Sequence, residues 1–331
     1  MLEHLKRAMK EYKTILEPEK NEKDWWAGAP SVVLTTEGRF LLAARMREAD
    51  SPRGRRGYEI RILESNDGES FSTIKKIHRD DANVSVFERP SLVQNPLTKK
   101  FLLFGCSALK SGWGIWKMDE VEDPDQIDPS TLTPVLESKK DSDNVVPSGL
   151  TNLDANHHQY VKINGYKDPF IFWEKINGGI DIVWHMFVIG YDKVERPYHF
   201  VSKTSRGENW ELVSKQPILE SSGWHNFFTR PACLLPLAVG YLFVYEGSNI
   251  RDFDPVYNIS SGLSYTPDLK TYYDLTPKKP LFQSATPCDY NTWRYSHWLR
   301  VKEEIYVYYE SCRPNQSNEI RLSKFPIHQL A

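Results

Sequence analysis

The chain has 331 residues, 40% of them hydrophobic, and its 42 Lys and Arg against 44 Asp and Glu leave a formal net charge of −2. That length supports one large core or two small ones. The near-neutral balance supplies no basic field for a phosphate backbone, so nucleic acid is not an expected partner. Four cysteines, Cys106, Cys233, Cys288 and Cys312, stand far apart without a CxxC pair, which makes no zinc framework and no demand for an oxidising compartment.

The opening MLEHLKRAMKEYKTILEPEKNEKDWW carries charge throughout and no long apolar segment, so neither a membrane partner nor a secretory leader is expected, and the predicted compartment is the cytoplasm. Leu5, Met9, Tyr12 and Ile15 recur at helical spacing over residues 3–16, with Pro18 as the stop. This predicts a helical extension over residues 1–23 ahead of a single domain over residues 24–331. Past Pro18 the rhythm changes to short β runs separated by Gly, Asn, Asp and Pro turns, from VVLTTEGRFLLAAR to IYVYYES and NEIRLSKFPI. Much of the 13% aromatic content falls in such runs, where these rings favour pleated strands.

Five units fit this rhythm, with starts near Pro30, Pro90, Asp154, Pro231 and His297 at intervals of 60 to 77 residues. Each interval holds about four strands with their loops. An isolated sheet of that size exposes an apolar face, whereas sheets packed radially cover one another, so the predicted fold is all-β, a five-bladed β-propeller. The polar, Pro-rich stretch over residues 119–147 reads as a connector.

In a propeller the innermost strands meet at a central axis, which gathers residues about sixty apart in sequence into one site. In unit one, Asp24, Trp25 and Trp26 precede the first strand, and Arg45 and Arg47 end the second. They read either as a sugar platform with anion or hydroxyl donors, or as an aromatic lid and a solvated basic hairpin. Glu88 and Arg89 of unit two are a general base and a hydroxyl or carboxylate holder if they face the axis, and a minor surface pair if they do not. Unit three offers Asp154, one of His157 and His158, since strand alternation separates neighbours, and Glu174. Unit four offers His225, Arg230 and Glu246; unit five offers His297 and Glu310. Glu174, Glu246 and Glu310 each follow an aromatic run. Carboxylates crowded at an axis can divide their pKa values and supply the acid and base that glycosidic cleavage needs.

The segments APSVVLTTEGRFLLAAR, FERPSLVQNPLTKKFLLFG and LDANHHQYVKINGYKDPFIFWE resemble the blade starts of the five-bladed propeller glycoside hydrolases and their relatives, the grouping of arabinanases, β-xylosidases, fructosidases and mannoside phosphorylases. The resemblance covers most of the chain after residue 24. It implies action on a terminal sugar of an oligosaccharide or glycoside, no organic cofactor, and a structural calcium near His297 as the one ion it allows. In the arabinanase and xylosidase branch an Asp before the first-blade proline is the base; the matching residue here is Ala29. A second Asp there tunes the acid, and Ser91 stands near its place. The resemblance leaves Asp24 or Glu88 as base and Glu174 or Glu246 as acid. Trp25 or Trp26 would then cover a ring face, while Arg89, Arg230, His157 and His297 orient hydroxyls. Two alternatives stay open: phosphorolysis, with Arg45, Arg47, Arg89 and Arg230 drawing in phosphate, and carbohydrate binding without cleavage. No glycine-rich dinucleotide loop, Gly-x-Ser-x-Gly elbow or HExxH motif competes.

Overall fold

The structure, a computed structural model, describes residues 2–49, 57–138, 145–147, 160–162, 164–179, 181–191, 194–252, 256–284, 286 and 291–330. Among the described residues the strands form five four-stranded antiparallel units, two of them joined by a parallel pairing of Trp26 with Asn318, and a separate two-stranded ribbon of Val145–Pro147 with Tyr160–Lys162. Blade one runs Trp26–Leu34, Phe40–Arg47, Gly57–Ser65 and Ser72–His78. Blade two is Ser91–Gln94, Phe101–Leu109, Gly112–Lys117 and Thr133–Leu136. Blade three is Gly165–Ile176, Asp181–Tyr191, Glu195–Ser202 and Glu211–Leu212, and blade four is Phe228–Pro236, Tyr241–Ser248, Ser260–Thr266 and Tyr273–Asp274. Blade five takes Trp293–Val301, Glu304–Cys312 and Asn318–Pro326 from the far end of the chain and its outermost strand, Lys13–Leu16, from the near end. The first strands of successive blades touch in a closed cycle, which makes them the inner ring.

Alternation explains why these runs stack radially. In blade one, Leu41 and Ala43 face Leu92, Leu103 and Trp116 of blade two, while Leu42 and Ala44 face Tyr306, Tyr308 and Leu322 of blade five. Both faces are apolar because both are covered, so a four-stranded sheet that would be marginal alone is buried on two sides.

The fold corrects several expectations. The helix stops at Ala8: Leu5 and Met9 are buried, but Tyr12 is 49% exposed, and Lys13–Leu16, with Thr14 and Ile15 β-branched, is better placed as a strand beside Asn318–Pro326. The segment assigned to a separate extension therefore belongs partly to the propeller. Blade three begins at Gly165, and Asp154, His157 and His158 lie outside the described residues. The proposed connector contains two single 3₁₀ turns, at Pro124–Gln126 and Pro129–Thr131, and the outer strand of blade two. Cys106 and Cys233 are free and buried, whereas Cys312 is disulfide-bonded. Among the described residues no helix is long and apolar enough to cross a membrane.

Candidate active site at the propeller axis

The inner strand of blade four shifts register between Pro231 and Cys233, and three other inner strands carry a wider bulge, between Gly28 and Ser31, between Lys167 and Phe170, and between Arg294 and His297. Inside each bulge one non-glycine residue takes a positive φ: Ala29 at 51°, Asp168 at 53° and Tyr295 at 54°. Such backbone costs free energy and persists where surrounding contacts hold it. The bulges turn these residues and their neighbours toward the axis, where arginines and carboxylates from all five blades assemble.

Arg45 Nη1 donates to Glu88 Oε2 at 2.6 Å and its Nη2 to Glu310 Oε2 at 3.0 Å. Arg47 Nη2 donates to both oxygens of Glu88 at 2.9 Å. Arg294 reaches Glu310 Oε1 at 2.7 Å, and Glu310 also accepts from Asn318 and from the Ala29 amide. A Cβ on Gly28 would lie 1.8 Å from Glu310 Oε2, so only glycine leaves room for that carboxylate. Arg230 pairs with Glu195. Arg89 makes no carboxylate bond among the described residues; it crosses the axis to the carbonyls of Pro231 and Ala232. Tyr295 stands amid them, its ring 5.1 Å from Arg45 and from Arg294 and its hydroxyl donating to Asp168 Oδ2 at 3.0 Å.

Two carboxylates differ from the others. Glu246 is 1% exposed and has no ion pair among the described residues; its hydrogen bond is from the Ser296 amide, 3.3 Å from Oε1. Burial pushes its pKa up to about 7 against the pull of Arg89, Arg230 and Arg294. Glu310, equally buried, is held below the ordinary carboxylate range because Arg294 and Arg45 outweigh its desolvation. Asp168, the second exception, accepts from the Tyr295 hydroxyl and the Cys106 thiol rather than from a guanidinium. For Arg45, Glu88 and Glu310 outweigh the effect of burial and raise its pKa; for Arg47, burial and the neighbouring Arg45 lower it.

The structure sorts the sequence candidates. Glu88, Arg89, Arg45, Arg47, Arg230, Glu246 and Glu310 do converge on the axis. Arg45 and Glu310, both fully buried, are internal counter-ions and not ligand contacts, since their polar atoms are turned to each other and to Arg294, Asn318 and Glu88. Glu174 is misplaced by the sequence reading. It lies on the inner strand of blade three beside the hairpin turn, six residues or roughly 20 Å along the strand from Asp168, and its carboxylate sits 3.2 Å from His185. Trp25 and Trp26 are 8% and 1% exposed: Trp25 packs on Tyr58 under Lys20, and Trp26 is sandwiched near Arg47 and Arg294, so neither offers an open face to a sugar. Asp24 is fixed in a left-handed turn, its amide bonded to Gln316. His225 is buried against Thr229 and Tyr245.

His297 has a structural role that the sequence reading misses. Ser31, Ser91 and His297 occupy equivalent places one or two residues past the bulge level, and each accepts a hydrogen bond from an amide of the next blade's inner strand: Leu92, Ile171 and Val32 respectively. Burial, and then Arg89, lower the His297 pKa to about 3, so its Nδ1 is a neutral acceptor that staples blade five to blade one. A neutral imidazole already bonded to an amide and flanked by Arg89 does not fit a calcium ligand, and no cluster of three or more metal-binding side chains occurs among the described residues.

Asp168, Glu195, Arg294 and Tyr295 are absent from the sequence candidates. Asp168 carries a signal, because Asp168–Pro169 repeats the X-Pro pair of Ala29–Pro30, Arg89–Pro90 and Arg230–Pro231. Tyr295–Ser296 lacks the proline, and Glu195 lies on a third strand with no local mark.

No family model matches the chain, and no curated protein matches it. Solved structures do. A glycoside hydrolase superposes with a TM-score of 0.65 at 14% identity, over 98% of this chain and 95% of its own. BT0996, in a complex with RGII, gives 0.64 at 15% over the same shares. A β-1,2-mannobiose phosphorylase from Listeria innocua, with β-1,2-mannobiose bound, gives 0.61 at 12% over 96% and 95%. The fold is that of the propeller glycoside hydrolases. At such identities the likeness concerns architecture; the chemistry rests on the axial residues.

Proposed function

We propose that the protein is a glycoside-cleaving enzyme acting on a terminal sugar at the propeller axis, with Glu246 as proton donor and Asp168 as the second carboxylate. The observation that carries this reading is Glu246 itself, a buried carboxyl without an ion pair among the described residues and with its pKa pushed up to about 7. Such a group retains a proton near neutral pH and can pass it to a leaving oxygen. Asp168 suits the other role: a phenol orients one of its oxygens, and no guanidinium among the described residues occupies either. Glu88 is a poorer base than the sequence suggests, because Arg45 and Arg47 already take its lone pairs. Arg47 and Arg230, at 7% and 8% exposure, stand at the edge of the cluster, where hydroxyls of a sugar would meet them.

Turnover on a panel of aryl glycosides and oligosaccharides, run with and without inorganic phosphate, tests the proposal. Glu246→Gln is expected to lose about 10²- to 10⁴-fold in kcat while keeping its fold, and Asp168→Asn a comparable factor. Full activity in Glu246→Gln would remove the assignment. Release of sugar phosphate only in the presence of phosphate would replace hydrolysis by phosphorolysis, and saturable binding without any product would leave a carbohydrate-binding propeller.

A further inference from the structure

A second site lies away from the axial charges, between blades four and five. On the face of blade five turned toward blade four, the strands carry two cross-strand rows, Trp293–Ser311–Glu319 and Tyr309–Arg321–Thr14. Farther along this face the same blades meet through Trp298, Ile305, Val307 and Phe325 in an apolar layer. At these two rows the contact opens instead into a cleft of about 920 Å³, bordered by the N-terminal segment and residues 280–284. That volume is near the upper end of ligand sites, roughly 300–1,000 Å³.

The lining is a built polar surface. Arg321, 4% exposed, donates from Nε to Glu319 at 2.8 Å and from Nη1 to Thr286 at 2.8 Å, and Tyr12, 49% exposed, lies 3.9 Å over its guanidinium. Arg313 shares the same Glu319, Nε to Oε2 at 3.6 Å, and its Nη1 is buried without a hydrogen-bond partner among the described residues. Ser311, wholly buried, likewise leaves its hydroxyl unpaired within the cleft lining. Unpaired buried donors are costly, which makes a ligand that supplies acceptors stabilising there. Lys6, Lys10 and Lys279 add positive charge at the border, against Glu17 and Glu319.

We propose that this cleft is a binding site for an acidic saccharide, one that bears a carboxylate on a polyhydroxylated ring. The carboxylate meets Arg313 and the lysines, the hydroxyls meet Ser311 and Thr286, and Tyr12 packs on a ring face at the mouth. Binding in the cleft does not depend on cleavage at the axis.

Calorimetric titration of the full chain with trigalacturonate and with its methyl ester, which keeps the shape and removes the charge, tests it. The acid is expected to bind about tenfold more tightly than the ester, the equivalent of one charge-assisted hydrogen bond. Arg313→Gln should erase most of that preference, Lys279→Gln, at an exposed position, should weaken acid binding by a smaller factor, and Tyr12→Ala should weaken both ligands. Glu246→Gln should leave cleft binding intact. Equal affinity for acid and ester, no binding of either, acid binding indifferent to Arg313→Gln and Lys279→Gln, or loss of binding in Glu246→Gln would each overturn the proposal.

Discussion

The axis and the layers between blades are built by the same strands under opposite rules. Between blades, Leu41 and Leu42 alternate into two apolar layers, and each side chain contributes whatever its neighbours happen to be, provided the volume fits. At the axis, Arg45 must meet both Glu88 and Glu310, and Glu310 must meet Arg45, Arg294, Asn318 and the Ala29 amide, so each member depends on the identity of its partners. The lesson is one of tolerance: the layers accept conservative exchange, while the axis holds charges that are stable only as a set.

The widest test of that contrast is Arg45→Leu, which removes the cation shared by two buried carboxylates and leaves Glu88 with Arg47 and Glu310 with Arg294. It is expected to cost about 3–5 kcal/mol in urea unfolding. A loss near that of a core methylene would show that the axis is wet enough to solvate its own charges, and the contrast would fail.

The second test uses proton linkage. The native Glu246 pKa of about 7 stands above the ordinary 4.5, so between those pH values the folded protein holds a proton that the unfolded chain has released. Stability from this group is present below about pH 4.5 and is lost as pH rises to about 7, a swing on the order of 3 kcal/mol. Glu246→Gln should flatten this part of the pH–stability curve and gain on the parent protein at pH 8. Glu310 works in the opposite sense, its lowered pKa adding stability that falls away in acid. If the two proteins differ by the same amount at pH 5 and pH 8, Glu246 is solvated and its role as a neutral-pH acid goes with it.

The smallest effect belongs to the layers. Ile62→Val, in the contact between blades one and two, is expected to cost about 0.5–1.5 kcal/mol, and the same at every pH where the protein is folded. A pH-dependent cost would mean that layer and axis are coupled rather than separate.

The sequence carries the layers well and the axis only in part. Period-two alternation and Gly and Pro turns mark strands wherever both faces are covered, and every inner strand but that of blade five announces itself by an X-Pro pair. Asp168–Pro169 goes unused when the blade-three start is placed upstream, at Asp154. Tyr295 escapes because a bulge is a backbone event that serine after it permits as readily as proline does. Glu174 misleads for a related reason: an aromatic run ending in Glu describes a first strand and a second strand equally, and the two end at opposite edges of the blade. His297 reads as a ligand contact because ring position alone does not reveal that its acceptor nitrogen already serves the Val32 amide. The missing Asp at residue 29 is legible, and the structure gives its physical context: the Ala29 amide, in a left-handed bulge, is a donor to Glu310.

Blade five draws its outer strand from Lys13–Leu16 and its other three from Trp293 onward. A ribosome must therefore pass Pro326 before that sheet can be completed, and four blades wait with an unsealed gap between the first and the last. During this interval Leu42, Ala44 and Leu63 face water, so the unfinished ring is the species that a chaperone or an aggregate would recognise.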